Sequence, residues 1–122
     1  MIYYKELSDK VIGIAIAVHK TLGNGYLEKI YENAMMLDFF QSQIPAEKQV
    51  PLPVHYKNKI MGDYFADIVV NKIIILELKT ISKILPIHEA QLLHYLKSSG
   101  LKVGYLLNFG AESHLEFKRM VY

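Results

Sequence analysis

Between Ile60 and Thr80 the chain passes through two runs rich in apolar, β-branched and aromatic residues, separated by a short polar break at Asn71-Lys72. Val, Ile and Tyr suit a pleated, half-buried surface, and two such runs around a short polar break read as a β-hairpin. The spacing predicts strands over residues 60–70 and 73–80. Upstream, Val50, Leu52, Val54 and Tyr56 alternate with other residues. Pro51 and Pro53 cannot donate to a sheet ladder, so residues 49–56 read as an edge strand. Residues 103–108 and 115–121 read as two further short strands.

The flanks change period. Ser8 or Asp9 can cap a helix running over residues 11–22, which Gly23-Asn24-Gly25 then stops. A second helix over residues 27–41 carries an apolar stripe of Leu27, Ile30, Tyr31, Ala34, Met35 and Leu37, with Asp38 interrupting it. Pro86 opens a third helix that runs to about residue 98 and ends at Gly100. The order helix, helix, three strands, helix, two strands predicts an α/β fold with one mixed sheet of about five strands and helices packed on it.

At 122 residues, 52% of them hydrophobic, the chain is expected to form one domain spanning 1–122 with an ordinary core. It has no cysteine, which removes disulfides, zinc–thiolate sites and cysteine nucleophiles, and fits a reducing cytoplasm. The apolar run from Val11 to Val18 is too short to span a bilayer, and its mixed-charge flank suits a buried helix better than a signal peptide. No membrane association is expected. A net charge of +2 is low for a dedicated DNA-binding domain, so any nucleic-acid binding must come from a local patch or a bound metal.

The hairpin also carries charge. Side chains alternate along a strand, so Glu77 and Lys79 share a face with Ile73 and Ile75. Burying those charges is costly unless they are paired or bound. A two-residue loop would put Asp67 on the opposite face. A three-residue loop, Asn71-Lys72-Ile73, pairs Val70 with Ile74 and sets Asp67 directly across from Glu77; a type I turn with a bulge is compatible with that loop. We adopt the second register. Two facing carboxylates can hold Mg²⁺, which takes one or two carboxylates plus water and phosphate. An adjacent lysine can orient water and offset developing charge, which together makes a minimal kit for phosphodiester hydrolysis. The same spacing also suits a structural salt bridge between Lys79 and either acid.

Three further patterns accompany it: Gly25-Tyr26-Leu27-Glu28-Lys29-Ile30-Tyr31, Ala66-Asp67 followed by Glu77-Leu78-Lys79, and Gln91 with Tyr95 in a Q-x-x-x-Y spacing. With Leu107-Asn108-Phe109-Gly110 they resemble the GxxExxY protein family of the PD-(D/E)XK nuclease superfamily, over nearly the whole chain. The resemblance implies a restriction-endonuclease-like core. It implies that Asp67, Glu77 and a backbone carbonyl near Leu78 hold Mg²⁺ or Mn²⁺, with Glu28 as an added acid from the second helix. It further implies Lys79 as the catalytic lysine and Gln91 and Tyr95 at the active site and DNA. No proline precedes Asp67, a departure from the superfamily name at a position that varies within it.

The expected function is a metal-dependent nuclease acting on DNA, directed by substrate structure or ends, since so short a chain has little surface for reading sequence. The alternative is a catalytically silent nucleic-acid-binding module or subunit of the same fold. The resemblance also allows a homodimer, since superfamily nucleases often pair to cut two strands. Tyr31 reads as a packing residue with a bonded hydroxyl, and His19 as a helix-end histidine. Lysines near turns, including Lys57, Lys59, Lys72 and Lys83, are solvated by default, although a subset could hold phosphates.

Overall fold

The computed structural model describes residues 3–122, in the order α1 (Lys5–Leu22), α2 (Glu28–Gln41), β1 (Ala46–Tyr56), β2 (Lys59–Val70), β3 (Ile74–Lys79), α3 (Pro86–Ser99), β4 (Val103–Asn108) and β5 (Glu116–Val121). The strands lie in sequence order in one sheet. All neighbours are antiparallel except β3 and β4, which α3 joins in parallel. The sheet is therefore mixed, as expected, and β1 with its two prolines takes an edge.

Each face of the sheet has its own apolar cluster. Val11, Ala15 and Val18 of α1 and Tyr31, Met35 and Phe39 of α2 meet Ile68, Val70, Ile74, Leu76 and Leu78 on one face. Leu92 and Leu96 of α3 meet Ala66, Val69, Ile75 and Leu106 on the other. Leu92 and Leu96 are fully buried, and each such side chain stabilises the fold by about 2 kcal/mol. Gly100 ends α3 in the left-handed conformation, at φ 77°.

Three local expectations are corrected. First, α1 begins six residues before the expected start, so Ser8 and Asp9 lie inside it and no side chain caps it. Tyr4 and Leu7 pack against the core, so tertiary burial carries the helix past its sequence cap. Second, α2 buries Tyr31, Glu32, Met35 and Phe39, while Leu27, Ile30 and Leu37 stay exposed. Tyr31 and Met35 of the expected stripe are buried, and the packed face extends from them toward Glu32 and Phe39 instead of toward Leu27, Ile30 and Leu37. Third, Asn71 and Lys72 both have left-handed φ, 50° and 60°, so the turn is not type I. Ile73 donates to the Val70 carbonyl at 3.0 Å and packs on the α1/α2 side, so it does not share a face with Glu77. The register is nevertheless the adopted one: Val70 pairs with Ile74.

Candidate active site

Pairing between β2 and β3 covers three positions, Val70 with Ile74 through Ile68 with Leu76, and stops there. The next step in the same register would set Asp67 against Glu77. Instead of a ladder bond, the Asp67 carboxylate takes over the backbone: its Oδ2 accepts the Leu78 N–H at 2.8 Å. The pleat slips at this level. Ala66 and Val69 both face α3 while Ile68 and Val70 face α1 and α2, so strict alternation fails around Asp67. On β1 the matching change falls at Gln49, a non-glycine residue at φ 52°; Ala46 faces α1/α2 whereas Val50 and Leu52 face α3. A left-handed residue inside a strand is strained and persists only where its surroundings over-determine it.

Where the two strands part, a cavity of about 200 Å³ opens. Six side chains named from sequence line it: Glu28 from the first turn of α2, Asp67, Glu77, Lys79, and Gln91 and Tyr95 from α3. Tyr64, His88, Leu92 and Leu106 complete the wall. Leu78 meets the site through its backbone: its N–H is engaged by Asp67, and its side chain lies in the α1/α2 core.

Glu77 is 7% exposed, and its Oε1 is buried without a hydrogen-bond partner. An orphaned carboxylate oxygen in a polar cavity is an uncompensated cost. Burial pushes the Glu77 carboxyl up to about 8; the Lys79 ammonium and the Asp67 N–H pull the other way, and the Glu28 charge adds to the rise. Burial also raises Asp67, against the opposing Leu78 N–H. Glu28 rises through burial and then through the charge of Asp67. Tyr95 is held above the usual phenol range by burial and by the charge of Glu77, and so remains a donor. Burial comes first among the causes for all three carboxyls, and a positive charge in the cavity would relieve it. Among the described residues Lys79 makes no ion pair with either acid, so the structural salt bridge is not what holds this lysine.

A second polar recess of about 300 Å³ adjoins the first, and Glu28 and Asp67 line both. It contains two residues that the sequence reading passed over. Glu32, one helical turn after Glu28, is 7% exposed, and its Oε1 accepts the Gln49 amide N–H at 2.7 Å. Gln49 also hydrogen-bonds Asp67 and lowers its pKa. Glu32 had a signal in sequence, an i, i+4 pair of acids on one helix face; Gln49 had none. Tyr64, likewise passed over, stacks on Tyr95 with ring centroids 3.3 Å apart and planes 9° apart.

Other motif residues build rather than react. The Tyr31 hydroxyl donates to the Gly23 carbonyl at 2.6 Å and accepts the Tyr26 N–H at 3.2 Å, pinning the loop before Glu28. His19 Nε2 contacts the Ala111 carbonyl at 2.7 Å, away from the cavity. Asn108 is fully buried; its Oδ1 accepts the Ile81 and Gly110 N–H groups and its amide donates to Glu116, which holds the chain just after Lys79. His88 sits in the first turn of α3, where its Nδ1 accepts the Leu85 N–H at 2.9 Å.

The family model of the PD-(D/E)XK nuclease superfamily matches residues 5–120. The chain belongs to the PD-(D/E)XK nuclease superfamily. Asp67 and the Glu77-Leu78-Lys79 triplet stand in the order that the superfamily name describes, with Ala66 in place of its proline. A solved crystal structure, that of SSO0001, shares the fold at a TM-score of 0.59 and 21% identity, covering 76% of this chain and 48% of that one. The chain thus spans about half the length of that protein. Comparison with curated protein sequences gives no match. Among the described residues no helix is long and apolar enough to cross a membrane.

The donor set at this PD-(D/E)XK position fits a hard divalent cation: two carboxylates of raised pKa, one with an unpartnered buried oxygen, and no sulfur; the one imidazole in the wall, His88, has its Nδ1 engaged by the Leu85 N–H. Among the described residues no three carboxylate or imidazole groups close into a full cage. Mg²⁺ sites that borrow water and substrate phosphate need no such cage.

Proposed function

We propose that the protein is a metal-dependent nuclease that hydrolyses DNA phosphodiester bonds, directed by substrate structure or ends rather than by sequence, and that it falls in the GxxExxY group of its superfamily. The observation that carries this reading is the orphaned Glu77 Oε1, buried in a cavity with Asp67, Lys79 and Glu28. Asp67 and Glu77 hold Mg²⁺ or Mn²⁺, with Glu28 completing the site from α2. The bound ion supplies positive charge that polarises the scissile phosphate and makes water a better nucleophile. Lys79, free of any ion pair, orients that water and offsets charge on the phosphate oxygens. The Tyr95 hydroxyl, kept protonated, and the Gln91 amide donate to the phosphate backbone and fix its approach. A homodimer would present two such sites to two strands.

Isothermal calorimetry with Mn²⁺ tests the site. Wild type binds, and Asp67→Ala binds at least tenfold more weakly; equal binding, or none in either, defeats the metal centre. Incubation with Mg²⁺ or Mn²⁺ and single-stranded, duplex, tailed and branched DNA tests the reaction. Products that vanish with Lys79→Ala support it, whereas intact DNA throughout favours the catalytically silent module.

A further inference from the structure

Among the described residues three buried side-chain polar atoms have no hydrogen-bond partner: the Ser8 hydroxyl, the Tyr64 hydroxyl and Glu77 Oε1. Ser8 lies in α1, outside the wall of the cavity that the acids line. Tyr64 and Glu77 both line that one cavity. The proposed cation answers Glu77, which leaves Tyr64.

Packing does not explain its hydroxyl. Tyr64 stands on β2 opposite Leu52 of β1, beyond Ile68, where β2 has left β3 and runs with β1 as a two-stranded ribbon. Its ring packs with the α3 cluster and stacks on Tyr95. A phenylalanine would fill the same space and make the same stack. The hydroxyl adds a desolvated group whose bond to water is gone and not replaced. The stack itself is not a favoured one either. Ring centroids 3.3 Å apart and planes 9° apart make a face-to-face sandwich, which aromatic pairs avoid in favour of offset or edge-on contact. An unfavourable contact and an unmade bond on one residue are costs of the kind that collect at functional sites.

The chemistry of the cavity indicates what the hydroxyl meets. Its carboxylates come from α2, β2 and β3, whereas α3 supplies donors, the Gln91 amide and the Tyr95 hydroxyl. His88 joins them: its Nδ1 accepts the Leu85 N–H, so its ring hydrogen sits on Nε2. Tyr64 packs on the α3 side of the sheet with this group. A neutral phenol is a poor ligand for Mg²⁺, which takes carboxylates, phosphate and water. Several donors set beside a cation site suit a tetrahedral oxyanion, whose oxygens can divide between the two.

We propose that Tyr64 is a further catalytic residue, whose hydroxyl donates to a non-bridging oxygen of the phosphoryl group under attack. The hydrogen stays on Tyr64 throughout, so the residue stabilises charge and transfers no proton. The assignment rests on the nuclease reading for its substrate, but its test reads phosphate binding apart from cutting.

The test compares the full chain with Tyr64→Phe, which keeps the ring and its stack and removes only the hydroxyl. Thymidine 5′-monophosphate in Mg²⁺, followed by calorimetry, is the binding probe. The variant binds it about 10- to 100-fold more weakly, the effect of one hydrogen bond to a charged group. Its Mn²⁺ affinity in the absence of nucleotide stays that of wild type. On a DNA that wild type cuts, kcat falls by about 10- to 100-fold. Its melting temperature in chelator equals or exceeds that of wild type, because an unpartnered hydroxyl has no bond to lose. Tyr31→Phe gives the contrast: that hydroxyl is bonded to both Gly23 and Tyr26, and its loss lowers the melting temperature. A Tyr64→Phe chain with wild-type nucleotide affinity and kcat overturns the inference and leaves the nuclease reading intact. So does a variant that melts lower and loses activity only with its folded fraction, the mark of a structural hydroxyl. Nucleotide binding that depends on Tyr64, without cleavage of any DNA, overturns the nuclease reading and leaves the oxyanion contact. A wild type that binds no nucleotide at millimolar concentration overturns the contact, whatever it cuts.

Discussion

Glu77 carries the sharpest consequences of any single side chain here. Its folded carboxyl sits at about 8 against an ordinary 4.5, so between those values the folded state holds a proton that the unfolded chain has lost. The stability that this group contributes is complete below pH 4.5 and is lost as pH rises through about 8. Thermal melts in chelator should therefore show wild type weakening over that window relative to Glu77→Gln, whose own curve is flatter there. The same substitution should lower cleavage about a hundredfold or more, because the carboxylate it removes is the one without a partner. Gln49 calls for a different expectation. It touches Asp67 and Glu32 from outside the cavity, so Gln49→Ala should weaken Mn²⁺ affinity by about 10- to 100-fold while leaving the fold in place, as loss of an orienting partner does. Calorimetry beside a far-ultraviolet circular dichroism spectrum checks both halves. A period of two in the sequence put Glu77 and Lys79 on one strand face. Two loop lengths were open for Asp67, however, and it was the resemblance to the superfamily that singled it out; the pleat slips at Asp67, so alternation alone does not place it. Gln49 was not legible, because its approach depends on a left-handed residue inside a strand, and nothing in glutamine announces that conformation.

The elements themselves were readable wherever local chemistry and packing agree. Prolines marked the edge strand, Pro86 and Gly100 bracketed α3, and the hairpin register followed from its loop length. The buried face of α2 was misread because Leu27, Ile30 and Leu37 look more apolar than Glu32, and the helix buries the acid to serve the cavity. The Leu-Asn-Phe-Gly segment after β4 was noticed as a motif, but its purpose is mechanical. A Cβ on Gly110 would overlap the Ile81 carbonyl oxygen and lie 2.6 Å from the Ile81 nitrogen. Gly110→Ala must therefore push apart the two segments that follow Lys79 and Asn108. A loss of about 1–3 kcal/mol in urea unfolding is expected, as for other overpacked sites. Tyr31→Phe removes a hydroxyl that both donates to Gly23 and accepts from Tyr26, and should cost about 1–2 kcal/mol in the same assay.

At the scale of the whole molecule, the crowded carboxylates make metal and stability one subject. A cation that binds only the folded chain raises the melting temperature in proportion to the logarithm of its concentration over its dissociation constant. Mn²⁺ should thus stabilise wild type most above about pH 8, where the Glu77 carboxyl ionises and no proton has to be displaced, and should shift Asp67→Ala less at the same concentration. Size-exclusion chromatography with and without DNA checks the homodimer; monomer alone under both conditions removes it. The fold class and the strand count followed from sequence, because both rest on periodicity and the order of the elements.

The slip of the pleat at Gln49 and Asp67 divides β2 into two lengths with unequal freedom to change over evolutionary time. Toward Val70 the strand is gripped from both sides, and one residue gained or lost would turn every packed side chain to the wrong face. Toward the Lys57-Asn58 turn only β1 constrains it. Residues can be added there in matched pairs, one on each strand, without moving an acid of the cavity, each added pair extending the tip by about 3.3 Å. Relatives of this chain can therefore differ in the length of the β1–β2 ribbon while keeping the acids of the cavity in place, and length variation should concentrate at that turn.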